Sequence, residues 1–328
     1  MKILITGATG FIGSWMCKKL YKEGHQIKVL SRPSSDLSEL ESIEYEKVVG
    51  DITDLDSLIS ATKDVDSVFH LAGLVGYSKK ARPLMEKVNV LGTQNVITAC
   101  TANNIEKMLY FSSVVAIGSS FDKTNILNEN SEYKIGHLNL GYFETKKKAE
   151  ELVVQAYKDH KLQPIIVNPT TVYGPGDSKK GSRKTQLKVA KGKFPFYSSG
   201  GVNVVSIHEV INASYKAFMG AANPGERHIL AGENITIKQL FDLIAKHAEV
   251  KPPHIYLPNP ILHAIGKAGD ALEAIGKSGP LNSENAWTAT MYHWFDSTKA
   301  QEKLGLNVVS ADECIKQSVD WMIENNYL

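Results

Sequence analysis

The spacing of apolar residues changes repeatedly along the first half of the chain, and the changes mark out its elements. Compact apolar runs at residues 3–6, 26–30, 45–49, 67–70, 108–112 and 164–167 predict short strands, several buried on both faces. Between them, apolar residues recur at helical spacing over about 10–22, 54–61, 83–103 and 142–160. Alternation of this kind predicts βαβ units and a parallel sheet. The class is α/β, a doubly wound parallel sheet whose ligands lie at the carboxyl ends of the strands. After Pro169 the pattern loosens. Tyr173, Gly174, Pro175, Gly176 and Asp177 form a turn cluster, and residues 181–199 mix Lys, Gly and aromatics. Residues 202–220 predict one more strand and helix, followed by short helices punctuated by prolines from Pro252 to Pro260. The expected division is therefore 1–170, with 202–222 returning to it, and a smaller, mainly helical C-terminal substrate domain of 171–201 and 223–328.

The first strand runs into Gly7, Gly10 and Gly13, and a helix follows. Gly7 suits a tight turn off the strand, Gly10 a close approach of backbone to a pyrophosphate, and Gly13 the packing of helix on sheet. The helix N-terminus would offer unpaired N–H groups and partial positive charge to phosphates. Strand before and helix after are the context that separates this motif from a glycine-rich turn without a ligand. The expectation is a bound dinucleotide.

Composition narrows the class further. Hydrophobic residues make up 43% of the 328 and charged residues 22%, which describes an ordinary globular protein. A net charge of +2 gives no case for a nucleic-acid partner. The lysine runs Lys146, Lys147, Lys148 and Lys179, Lys180 read as solvated faces. Cys17, Cys100 and Cys314 are isolated, without metal-ligand spacing; no metal is expected, and Cys17 and Cys100 read as small core residues. No stretch approaches a membrane span, and the nearest, 260–275, is interrupted by polar residues and glycines. Met1 leads directly into the first strand with no basic-then-apolar leader, so the expected location is cytoplasmic.

Tyr142 and Lys146 lie one helical turn apart and project from one face. A tyrosine ordinarily loses its proton near pH ~10, and an ammonium beside it would lower that value into the range acid–base work needs. Ser112 and Ser113 close the strand at 108–112, where a hydroxyl could hold a carbonyl oxygen; a turn or N-cap role is the competing reading. Asn89, inside a predicted helix, is either a plain interior amide or a group kept to bind backbone or water. His70 ends a strand with nothing nearby in sequence to orient it as a base, and it reads as structural.

These motifs, in this order, resemble the extended short-chain dehydrogenases/reductases: TGATGFIG at the start, His70-Leu-Ala-Gly, VNVLGTQN, FSS, YFETK, and Asn168-Pro followed by Tyr-Gly-Pro. The resemblance covers nearly the whole chain and implies a Rossmann fold. It implies Tyr142 as catalytic acid/base, and Lys146 as the group that lowers its pKa and binds the nicotinamide ribose. Ser113 would bind the substrate oxygen, since it lies five residues before Gly118 as the family's catalytic hydroxyl does, and Asn89 would be the supporting polar residue. Cofactor contacts would come from Gly7, Thr9, Gly10, Phe11, Ile12, Gly13, Asp51, Ile52, Leu71, Ala72, Gly73, Asn168 and Pro169, besides Tyr142 and Lys146. The two long helices at 83–103 and 142–160 form a homodimer interface in many relatives, so a homodimer is expected.

Two departures refine the subfamily. Nucleotide-sugar epimerases and dehydratases usually carry Arg-Pro-x-Asn where this chain has Asn168-Pro-Thr-Thr, and many carry a tyrosine before the glycine at 118 that is absent here. Asn-Pro-Thr is similar to the dihydroflavonol-4-reductase branch. Thr145 stands where many relatives have serine. Past the second strand, where an NAD-selective site places a carboxylate, the chain has Ser31 and Arg32, and Asp36 follows only beyond Pro33. An arginine there suits a 2′-phosphate and favours NADP (NADPH) over NAD; a solvated surface role for Arg32 is the alternative.

The leading expectation is an NADPH-dependent reductase of a ketone or aldehyde of a small organic substrate. A redox-neutral epimerase or dehydratase of a nucleotide sugar, holding NAD(P) tightly, is the alternative, with Arg183, Lys184 and Lys188 as candidate diphosphate groups or solvent-facing residues. A non-catalytic cofactor sensor is a third, opposed by the intact Tyr142–Lys146 pair. Phe194, Pro195, Phe196 and Tyr197, and Ile261, Leu262 and Ile265, read either as an apolar substrate wall or as core.

Overall fold

A computed structural model of the chain describes residues 1–177, 183–277, 279 and 281–328. The Lys179, Lys180 run and Gly181 lie outside the described residues. In chain order the first elements are β1 (Lys2–Thr6), α1 (Phe11–Lys22), β2 (Gln26–Ser31), β3 (Glu46–Val49), α2 (Leu55–Ala61) and β4 (Ser67–His70). Then come α3 (Arg82–Met85), α4 (Gly92–Ala102), β5 (Lys107–Phe111), α5 (Gly141–Lys158), β6 (Gln163–Pro169) and β7 (Thr171–Tyr173). The rest comprises α6 (Lys184–Ala190), β8 (Phe196–Tyr197), β9 (Gly201–Ser206), α7 (Ile207–Lys216), β10 (Arg227–Leu230), β11 (Glu233–Thr236) and α8 (Ile237–His247). It ends with β12 (Ile255–Tyr256), α9 (Asn259–Ala274), α10 (Ser283–Thr290), α11 (Thr298–Leu304) and α12 (Ala311–Glu324).

The main sheet has the order β10-β6-β5-β4-β1-β2-β3, and every neighbouring pair in it is parallel. The strand order reverses between β1 and β4, which opens a crevice at their carboxyl ends. Alternation along each strand sends side chains to opposite faces. Ile3, Ile5, Phe69, Leu109 and Phe111 join a core with Met16, Cys17 and Leu20 of α1 and Val210 and Ile211 of α7. Leu4, Val68, Met108 and Tyr110 join another with Val96 of α4 and Ala149 and Val153 of α5. The strands are apolar on both faces because helices cover both.

A three-stranded sheet, β11-β9-β7, carries a separate core in which Val202, Val204 and Ile235 pack on Phe241 and Ile244 of α8 and Ile315 and Val319 of α12. Phe194 packs edge-on to Phe241 with ring centroids 5.9 Å apart, so it belongs to this core. On α9, Leu262 is buried and Ile261 is exposed.

Three findings depart from the expectations. Arg227–Leu230 forms an edge strand of the main sheet, although the sequence placed 223–328 wholly in the second unit. The helix expected over 83–103 is interrupted by a π-helical turn, Glu86–Leu91, between α3 and α4. The lysine run 146–148 is not one solvated face: Lys146 is buried, while Lys147 pairs with Glu151 and Lys148 with Glu86. All three cysteines are buried and free. Among the described residues no helix is long and apolar enough to cross a membrane, and no cluster of His, Cys, Asp and Glu could hold a metal.

Candidate active site

Every sequence-predicted site residue except Tyr142, Lys146 and Asn89 lies at or just past the carboxyl end of a strand in the main sheet. Residues 7–13 follow β1, Arg32 follows β2, Asp51 and Ile52 follow β3, and Leu71, Ala72 and Gly73 follow β4. Ser113 follows β5, and Asn168 and Pro169 end β6. The topology thus gathers one line of loops across the crevice between β1 and β4.

The glycine loop is tightly built. Gly7 takes a φ of +75°, and a Cβ there would lie 2.6 Å from the Ala72 nitrogen, which welds the loop to the end of β4. A Cβ on Gly13 would lie 2.0 Å from the Gly7 carbonyl oxygen, so at Gly13 the first turn of α1 packs directly on the loop. Gly10 is the N-cap of α1, and no side chain caps the helix there. Among the described residues beyond its chain neighbours, a Cβ at Gly10 would meet within 4 Å only the Gly7 carbonyl oxygen. Open space above an uncapped helix N-terminus is what a pyrophosphate requires, and these residues fit a dinucleotide.

Beyond β4, a polar chain fixes the neighbouring strand ends. The Ala72 amide donates to Thr6 Oγ1 (3.3 Å), which sits 2.7 Å from His70 Nδ1. Thr93 donates to the Asn89 carbonyl (2.6 Å), and therefore accepts from His70 Nε2 at 3.0 Å. Burial pushes the His70 imidazole down to about 3, and Lys146 adds to the shift. His70 is thus a neutral structural link, as its sequence context implied.

Asn89 lies in the π-helical turn and is buried. Its amide nitrogen donates to the Leu74 carbonyl (3.0 Å) and to Thr145 Oγ1 (3.1 Å), and its oxygen accepts from the Leu74 amide (2.7 Å). Thr145 in turn donates to the Tyr142 carbonyl (3.1 Å). Asn89 therefore clamps the segment after β4 to the first turns of α5, and its contacts are those of a positioning residue. The extra residue of a π turn re-aims a side chain in this way, and such turns recur at functional sites.

Tyr142, Lys146 and Glu150 occupy successive turns of one face of α5. Lys146 Nζ donates to the Phe111 carbonyl (2.9 Å) and to the Tyr110 hydroxyl (3.3 Å). Burial lowers its pKa to about 8, against an opposing pull from Glu150. Burial also raises the Tyr142 phenol, and the nearby Ser113 hydroxyl opposes that rise. The expected depression of Tyr142 by Lys146 is not what this arrangement produces, because the ammonium is directed at β5 and Ser113 supplies the opposing influence. Ser113 accepts from the Val115 amide (3.4 Å) as the N-cap of a short 3-10 turn, the contact that the capping reading expects.

Several participants are absent from the sequence-based set. Glu150 is buried, accepts from Asn168 Nδ2 (2.6 Å) and pairs with Arg227 (3.0 Å). Asn168 Nδ2 also donates to the Ser113 carbonyl (3.1 Å), while its Oδ1 is buried without a partner among the described residues. The signal for Glu150 was its place two turns beyond Tyr142 on the same face; no local signal marks Arg227. Arg183 departs most from expectation. It is buried, donates to the Val172 carbonyl (2.6 Å), stacks 3.7 Å from the Tyr173 ring centroid and lies 3.5 Å from Asp177. It does not face solvent. Lys184 and Lys188 are exposed, and Lys184 lines a cleft of about 340 Å³ with Tyr77, Ser78, Asn282 and Asn285.

Fold and site define an NAD(P)-dependent oxidoreductase of the extended short-chain dehydrogenase/reductase class. The chain belongs to the 3-beta hydroxysteroid dehydrogenase/isomerase family, whose model matches residues 4–238. Over 332 residues it is 27% identical to a Synechocystis sp. protein provisionally named dihydroflavonol 4-reductase, covering 99% of this chain and 95% of that one. A crystal structure of gox2253 superposes with a TM-score of 0.87 at 31% identity, covering 99% of each chain. UDP-glucuronic acid 4-epimerase from Bacillus cereus, solved with UDP-glucuronic acid and NAD, shares the fold (TM-score 0.77, 22% identity, 99% of this chain and 100% of that one).

Proposed function

We propose that the chain is an NADPH-dependent reductase of a ketone or aldehyde on a small organic molecule, with Tyr142 as proton donor. The observation that carries this reading is the placement of Tyr142 and buried Lys146 on one face of α5, with Ser113 just past the carboxyl end of β5. When bound, the reduced nicotinamide supplies the hydride. Residues 7–13, Asp51, Ile52, Leu71, Ala72, Gly73, Asn168 and Pro169 would hold the cofactor along the crevice. Ser113 orients the carbonyl oxygen, and Tyr142 gives it a proton. A phenol raised by burial is protonated at neutral pH, which suits a donor in the direction of reduction.

Arg32, exposed immediately after β2, supports NADPH, because a guanidinium complements a 2′-phosphate. Leu84 and Leu91, exposed on the α3–α4 rod, support the expected homodimer.

The test follows NADPH absorbance with a panel of aldehydes and ketones, with NADH and Tyr142→Phe as controls. Oxidation of NADPH that the substitution abolishes is the expected result. Retention of most activity by Tyr142→Phe would refute the assignment, and a copurifying cofactor without turnover would favour the redox-neutral alternative.

A further inference from the structure

The first turn of α5 carries Tyr142, yet the helix has no cap of its own. Its N-cap residue is Leu140, and no side chain nearby in sequence accepts from the first amides. The acceptor comes from the other end of the chain. Glu284 on α10 is buried, and its Oε1 accepts from the Gly141 amide at 3.3 Å. Burial pushes the Glu284 carboxyl up, while the Gly141 amide and the Arg82 guanidinium pull it down. A carboxylate is favoured at this end of a helix by the exposed N–H groups and the macrodipole.

The neighbouring residue of α10 reaches the same tyrosine by a second route. Asn285 Nδ2 donates to the Tyr77 carbonyl (3.4 Å), and the Tyr77 ring packs edge-on to Tyr142 with centroids 6.1 Å apart. Asn282, the N-cap of α10, and Asn285 line the cleft beside Tyr77, so the helix that braces Tyr142 also walls that cleft. The start of α10 is itself anchored, because Asp270 of α9 accepts from the Ser283 amide (2.9 Å) and pairs with Lys79 (3.2 Å).

We propose that Glu284 is a positioning residue for Tyr142: its carboxylate caps α5 from the C-terminal helical unit and ties the placement of the phenol to the wall of the cleft. This inference rests on the reading of Tyr142 as proton donor. Loss of the cap frees the turn that carries the phenol, and small misplacements of a reacting group cost rate steeply.

The test compares Glu284→Ala, Glu284→Gln and the milder Glu284→Asp, whose carboxylate is withdrawn by one methylene. Hydrogen–deuterium exchange is measured over residues 139–146, and steady-state kinetics with NADPH and a reducible ketone. Glu284→Ala should speed exchange in the first turn of α5 and lower kcat by about tenfold to a hundredfold, with the KM for NADPH within about threefold. Glu284→Asp should do the same in smaller measure, and Glu284→Gln, which keeps an acceptor, should restore both. Unchanged exchange in the Ala and Asp variants would overturn the inference, as would a parallel loss of NADPH affinity. Activity retained by Tyr142→Phe would instead overturn the underlying reading, an outcome the exchange data do not imitate.

Discussion

Replacing Gly13 by alanine tests the cofactor site at its most constrained point. The new Cβ would sit 2.0 Å from the Gly7 oxygen, 2.8 Å from the Gly7 carbonyl carbon and 2.9 Å from the Ala8 Cα. All three are backbone atoms, so no rotamer change relieves the clash. To restore even 3.0 Å to the oxygen, loop and helix must part by about 1 Å. The loop cannot retreat, because Gly7 already lies against the Leu71–Ala72 backbone. The movement must fall on α1, which Met16, Cys17 and Leu20 hold in the core. Overpacking of this kind costs roughly 1–3 kcal/mol, which leaves the protein folded. The first-turn amides of α1 move with the helix, and a hydrogen bond to a charged group is worth about 1.5–3 kcal/mol. Loss of one such bond weakens NADPH binding about tenfold to a hundredfold. The assay is titration of NADPH fluorescence against wild-type and Gly13→Ala protein, with circular dichroism and a urea melt to establish that both are folded. A folded variant that binds NADPH within about twofold of wild type would refute the argument that this loop holds the phosphates.

Other expectations follow from the same contacts. Ser113→Ala removes the hydroxyl whose influence draws the Tyr142 phenol down, so the rise of alcohol oxidation with pH should move to higher pH and kcat should fall at neutrality; an unmoved profile would contradict that influence. Glu150→Ala strips a buried acceptor from Asn168 and Arg227, and because Arg227 is partly exposed the loss should be about 2–3 kcal/mol in a urea melt; a change below about 0.5 kcal/mol would deny the network its role. His228 is held down to about 4, first by burial and then by Lys299, whereas an unfolded imidazole takes its proton near 6.5. The unfolded state therefore binds more protons between about pH 6.5 and 4, and stability falls as pH drops through that window. In His228→Leu the dependence of unfolding free energy on pH there should be shallower by up to about 1.4 kcal/mol per unit, and parallel curves would exclude the effect.

Local pattern alone marked the parallel sheet, the glycine loop and the shared face of Tyr142 and Lys146. The period of apolar residues reports which faces are covered, a glycine triplet between strand and helix reports a backbone approach, and a spacing of four reports one face of a helix. Each of these is a short-range property that a linear text records. What Lys146 touches is different in kind: Phe111 and Tyr110 lie 35 and 36 residues away, and the pairing of β5 beneath α5 brings them together. The interruption at Asn89 is equally unmarked, because a π turn is stabilised by what the re-aimed side chain meets, here Leu74 and Thr145. Arg183 reads in sequence as a basic surface residue near a lysine run, and only the packing of Tyr173 and the Val172 carbonyl around it makes it a buried tie. Arg227 and Glu284 arrive from segments whose local pattern is weak, one as an edge strand of the main sheet and the other as a cap for a helix 143 residues earlier. Elements and available chemical groups are thus legible along the chain, whereas their partners are not, because burial, hydrogen bonding and the pKa shifts they cause depend on contacts between segments that chain order leaves far apart.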